Sequence, residues 1–308
     1  MADKKKMGLV KKLVLFTFGG GFLLVVGGYG YVSFAYSSEI SKEFDQPVRA
    51  LEISDSKATI ERGKYLVESV LGCGHSECHR ADFGGGHVIN EAPMGLIYAP
   101  NLTPGKGSVT SEYTGEDWAR IIRHGIKKNK KRAVIMPSED YYQFSDADLG
   151  AAVSYIKSFP AVDRETPAHD PGFLFRALLA TGAIPFAHDK IDHSHKPADV
   201  KPGPTVEWGK VMAGTCSGCH GQGFSGGKVP GGDPKWPEAR NITPDEATGI
   251  GKWKFEDFDK AIRTGERPDG TKLDKVMPYE LYKGMSEDDV RALWEYLRTV
   301  PAKPAGGR

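Results

Sequence analysis

The chain's four cysteines stand in two pairs, and a histidine follows each pair directly: Cys73-Gly74-His75-Ser76-Glu77-Cys78-His79 and Cys216-Ser217-Gly218-Cys219-His220. The second is a plain C-x-x-C-H, the attachment signature of c-type haem. Two thiols at that spacing can form thioethers to both vinyl groups of one porphyrin, and the imidazole one residue on can meet the iron. In the first pair four residues separate the cysteines. Cys78 still abuts His79, and the extra residues can loop outward without disturbing that contact. Three other chemistries compete. Two disulfides suit an oxidising compartment. Zinc would leave the trailing histidines without a role. A thioredoxin-type redox pair needs a surrounding βαβ pattern, and none is present.

A duplication sharpens the reading. Shifted by 140 or 141 residues, the chain matches itself: His79 falls on His220, Asn101-Leu-Thr-Pro104 on Asn241-Ile-Thr-Pro244, Ile122-Arg123-His124-Gly125 on Ile262-Arg263-Thr264-Gly265, and Met136-Pro137 on Met277-Pro278. Such self-similarity marks two copies of one unit. Among seven methionines only Met136 and Met277 are equivalent. A thioether opposite histidine gives a closed, high-potential iron, so His79 with Met136 and His220 with Met277 are the expected iron ligands. Cys73, Cys78, Cys216 and Cys219 are the expected attachment points. Arg123 and Arg263, also equivalent, are candidates for charge-assisted forks to haem propionates; the alternative is an exposed helix arginine. His75 and His124 read as solvated side chains, the alternative being that a histidine replaces methionine at the first iron.

The elements that must position these groups read as helical. Leu149, Ala152, Val153, Ile156 and Phe159 recur at helical spacing, as do Val290, Leu293, Trp294, Leu297 and Val300. Ser145 with Asp148, and Ser286 with Asp289, read as capping boxes; Pro160 and Pro301 stop the helices. Ile60, Leu66, Val67, Val70 and Leu71 share a face ahead of the first motif, and short helices begin near Asp117 and Asp257. No convincing strand pattern stands out, so the expected class is all-α.

At the start, five lysines precede Leu13–Tyr36, 24 residues without a charge. That length can span a bilayer, and the lysines place the start in the cytoplasm. The rival is a cleaved signal peptide; the run exceeds the usual apolar region of one. The expected organisation is a basic tail (1–12), a transmembrane helix (13–36), a linker (37–56), a first haem domain (57–162), a polar connector holding His188, His193 and His195 (163–202) and a second haem domain (203–303). Basic and acidic residues number 41 and 40, which argues against nucleic acid as a partner. There is no P-loop, dinucleotide fingerprint or nucleophile elbow.

The order C-x-x-C-H, N-[IL]-T-P, TGIG-x-W, R-x-G, M-P-Y and S-E-D-D-V-x-A-L-W-x-Y-L resembles the cytochrome c subunits of membrane-bound bacterial quinoprotein dehydrogenases and, more broadly, membrane-anchored dihaem cytochromes c. The resemblance covers residues 57 to about 302. It implies tandem class I cytochrome c domains, two covalent haem c groups, and periplasmic electron transfer by a carrier that is not itself an enzyme. Cys216, Cys219, His220 and Met277 match the family fully; Cys73, Cys78, His79 and Met136 match apart from the longer cysteine loop. The dehydrogenase subunits often hold three haems, and this chain has two motifs. The implied partners are a dehydrogenase or quinol-oxidising complex as donor and a terminal oxidase or other redox protein as acceptor, at the bacterial inner membrane. The alternatives are the dihaem subunit of a haem–copper oxidase and a dihaem peroxidase.

Overall fold

The computed structural model describes residues 23–75 and 78–308. The first ten residues of the expected membrane segment lie outside that range. Its remainder belongs to a helix over residues 23–41, α1. Among the described residues no helix is long and apolar enough to cross a membrane.

The first copy opens with α2 (Lys57–Leu66), capped by the Ser56 hydroxyl and continued by a π turn over Val67–Leu71 that ends at left-handed Gly72. Helices α3 (Gly115–His124) and α4 (Asp146–Lys157) complete it. A second short helix, α5 (Phe173–Ala180), follows in the connector. The second copy holds α6 (Val206–His220), α7 (Phe255–Thr264), the single turn α8 (Tyr279–Tyr282) and α9 (Glu287–Leu297).

In each copy the entry helix crosses the last helix at a glycine. A Cβ on Gly63 would lie 1.9 Å from the Ala151 carbonyl oxygen, and one on Gly209 would lie 1.9 Å from that of Ala292. No other residue permits backbones that close. The expected caps hold in part. Ser145 and Ser286 each accept from the backbone N–H three residues on, but the carboxylates do not reach back. Asp148 instead takes Arg62, and Asp289 takes Trp208 Nε1 and the Tyr65 hydroxyl. The reciprocal box occurs at Thr114 and Asp117.

Three expectations need correction. The chain is mostly helical, not wholly so: β1 (Gly86–Glu91), β2 (Gly95–Ala99) and β3 (Asp170–Pro171) form an antiparallel sheet in that order. The third strand is two residues of the connector, a long-range pairing that leaves no local pattern. The connector itself is packed structure. Asn101 Nδ2 donates to the carbonyls of Val162 and Arg164, and Phe175, Leu179 and Phe186 bury against Tyr36 and Ile97. His124, finally, is buried: its Nδ1 lies 2.9 Å from that of His193, while His188 Nδ1 donates to the His124 carbonyl at 3.1 Å.

The two copies share one continuous core, from Leu66, Val70 and Trp118 through Phe144 to Trp208, Leu293 and Leu297. Their interface repeats its contacts between elements with the halves exchanged. The end of α6 meets the turn Ser138–Asp140 behind Met136-Pro137, and the π turn before Cys73 meets α8 behind Met277-Pro278. The Arg62 guanidinium lies over the Trp208 ring, 5.6 Å from its centroid; these residues are equivalents, so the approximate twofold passes between them.

Candidate functional site

In the second copy α6 carries straight through the motif, so Cys216, Cys219 and His220 lie on one helical face at i, i+3 and i+4. The chain turns back at Gly221 and brings the backbone of Arg240 beside the histidine. His220 Nδ1 lies 2.7 Å from the Arg240 carbonyl oxygen. A carbonyl can only accept, so Nδ1 carries the proton and Nε2 presents its lone pair. In the first copy the helix has already ended at Gly72, and Cys73 and Cys78 sit in turns. His79 nonetheless reaches the same arrangement, Nδ1 donating to the Pro100 carbonyl at 3.0 Å. Pro100 and Arg240 are equivalent in the repeat. Burial pushes both imidazoles below their ordinary range, which keeps them neutral and able to ligate.

Each histidine opens on a cavity. One, of about 690 Å³, is lined by Cys216, Cys219, His220 and Met277 together with apolar groups such as Ile250, Trp253 and Leu293. The other, of about 660 Å³, is lined by Cys73, Cys78, His79 and Met136 with Leu102, Trp118 and Ile156. All eight sequence-predicted attachment and ligand residues therefore gather in two cavities of nearly equal size. The residues present fit a haem: soft thioether and neutral imidazole nitrogen for the iron, two thiols near the histidine, and apolar walls for the macrocycle. Burial pushes the Cys73 and Cys216 thiols up to about 12, so at neutral pH both stand as protonated thiols.

Arg123 and Arg263 are not in either cavity, which corrects their assignment to propionates. Arg123 donates to the carbonyls of Tyr142 and Phe144 and pairs with Asp146 at 2.8 Å. Arg263 donates to the carbonyls of Lys283 and Met285 and pairs with Asp259. They brace the chain entering the last helix of each copy, and their equivalence in the repeat reflects that shared structural task. The Asn-x-Thr-Pro motif is explained similarly. Asn101 and Asn241 each accept from the Thr two residues on, at 2.9 Å from its backbone nitrogen, and donate to the carbonyl of Val162 or Lys303 beyond the last helix. This lashes the loop beneath the histidine to the end of its copy. His75 is exposed.

Comparison with known proteins agrees with this geometry. Residues 207–301 match the cytochrome c family. Across most of its length the chain is similar to the cytochrome subunits of several dehydrogenases. It is 27% identical to the fructose dehydrogenase cytochrome subunit of Gluconobacter japonicus over 85% of this chain and 57% of that protein. It is 26% identical to the cytochrome c subunit of the quinone alcohol dehydrogenase of Gluconobacter oxydans over 81% and 56% respectively. It is 28% identical to the gluconate 2-dehydrogenase cytochrome c subunit of Pantoea cypripedii over 80% and 61%. The chain spans about three-fifths of the length of the relatives it matches.

Proposed function

We propose that the chain is a membrane-anchored periplasmic dihaem cytochrome c, an electron carrier between a membrane-bound dehydrogenase or quinol-oxidising donor and a further redox acceptor. The observation that carries this reading is the doubled cavity: in both copies two cysteines, a carbonyl-fixed histidine and a methionine line one apolar pocket. Similarity to dehydrogenase cytochrome subunits supports a dehydrogenase partner, and the uncharged run behind five lysines supports the anchor.

Bound haem supplies one-electron exchange; the chain supplies everything that sets its character. His79 and His220 hold Nε2 toward the cavity through their Nδ1–H bonds, a partner that also raises ligand basicity. Met136 and Met277 offer soft sulfur, which favours the ferrous form and raises the potential. Pro137 and Pro278 fix the chain that presents each sulfur. The apolar walls exclude water. Met136 and Met277, one in each cavity, would close the position opposite the histidine on a bound haem, which favours a carrier over a peroxidase.

The test is full-length protein matured in a host that attaches haem c. Intact mass and pyridine haemochrome should give two covalent haems per chain, with no thiol that alkylates after unfolding. Met277→Ala should remove about half of the far-red sulfur-to-iron band and lower one potential. One haem per chain, a reactive Cys73, or an unchanged band overturns the reading.

A further inference from the structure

The displacement of Arg123 and Arg263 leaves a question of charge. A haem carries two carboxylates, and placing anions against apolar walls without cations is costly. The charged groups lining the first cavity are Lys127 and Lys128; the cations lining the second are Arg240, Arg267 and Lys272. Several of these are engaged. Lys128 donates to the Glu112 carbonyl at 2.8 Å. Lys272 lies 3.7 Å from Glu266 and donates to the Thr264 carbonyl. Arg240 is exposed, and its counterpart is Pro100. Lys127 and Arg267 remain, and among the described residues neither makes an ion pair.

These two are equivalents on matching hairpins. Gly125 and Gly265 are both left-handed. Lys127 N donates to the Lys131 carbonyl at 2.8 Å, and Arg267 N to that of Thr271 at 2.9 Å. Ala133 and Leu273 close the two loops onto Gly125 and Gly265, each at 2.7 Å. Among the described residues Arg267 Nε is buried with no hydrogen-bond partner, an arrangement that is costly unless something accepts from it. Its acidic neighbour Asp269 is exposed and takes the hydroxyl and backbone N–H of Thr271. In the first copy Trp118, which lines the cavity, also has a buried Nε1–H without a partner; its counterpart Phe258 has no donor. Burial lowers the Lys127 ammonium below its ordinary range, and Lys131 adds to this.

We propose that Lys127 and Arg267 are the anchors of the carboxylate edge of the bound group, each holding a propionate of the haem in its own cavity, with Trp118 as a second donor in the first. The proposal rests on the haem reading. The thioethers make the two ideas separable, because they retain the haem even where its carboxylates lose a partner.

The test is potentiometric titration of the loaded full-length protein over a range of pH, for wild type and for Lys127→Gln, Arg267→Gln and Arg267→Lys. Removing a cation leaves a propionate uncompensated, stabilises ferric iron and raises that carboxyl's pKa. Each Gln variant should therefore lower one of the two midpoint potentials and give it a stronger pH slope, a different wave for each variant, with two haems still attached. Arg267→Lys should largely restore the wild-type slope. Unchanged potentials and slopes, or a shift of both waves together as in general disruption, overturn the anchoring. Should Arg267→Gln fail to accumulate, Lys127→Gln decides by the same signature in the other wave. Absence of covalent haem from wild type defeats the underlying reading instead.

Discussion

Asp140 is the point at which one copy touches the other's attachment motif. It closes the turn behind Met136-Pro137 and accepts from the Ser217 hydroxyl at 3.2 Å; Gly214 and Gly218 leave room for it. At the exchanged contact its equivalent is Leu281, packed on Gly72. Burial pushes the Asp140 carboxyl up to about 8, the charge of Glu139 adds to this, and Ser217 and Lys190 oppose it. A carboxyl whose folded pKa lies above its unfolded value is protonated in the fold and ionised in the open chain. Its contribution to stability is therefore full in acid and declines as pH rises from the ordinary carboxylate range to about 8. Asp140→Asn should accordingly gain stability on wild type across that window, by at most about 1.4 kcal/mol per pH unit. Denaturant unfolding of both proteins at several pH values measures the difference; a gap that does not grow with pH excludes a raised Asp140.

The helix crossings are the least forgiving elements. Gly209→Ala places a methyl carbon on the Ala292 carbonyl, and forcing that contact should cost about 1–3 kcal/mol, read as a fall in unfolding temperature. A variant as stable as wild type would mean the helices do not meet there. The glycines were not evident beforehand, although the helices were: regular apolar spacing and serine caps are local and survive in sequence. Strands β1 to β3 and the His124, His188 and His193 cluster were hidden because their partners lie far along the chain. That the four cysteines, His79, His220, Met136 and Met277 belong together in two sets was legible because the duplication filters chance from requirement. The same filter misled at Arg123 and Arg263, since repetition cannot tell a brace from a ligand. It passed over Lys127 and Arg267 because the residue type changes between copies, and only the matched hairpins from Gly125 and Gly265 put them in register.

At the scale of the whole molecule the two copies do not stand as independent beads. Phe144 of the first lies edge-on to Trp208 of the second, the Tyr65 hydroxyl reaches Asp289, and Tyr141 donates across to Leu71 within the first copy beside that seam. One shared core predicts one cooperative transition. Trp208→Ala should lower the unfolding midpoint of both copies together, and separate midpoints for the two copies would contradict a common core. The connector adds a different consequence. An interface that repeats itself with the halves exchanged is the kind that two free copies of one subunit make, and such a pair comes apart on dilution. Here the chain from Asp163 onward is packed along the first copy and delivers the second to its place, so pairing is intramolecular. Its effective concentration is fixed by the tether and independent of how much protein the cell makes. On the proposed dihaem reading, transfer between the two centres is first order at any expression level, and a cell could keep the protein scarce without losing the link between them.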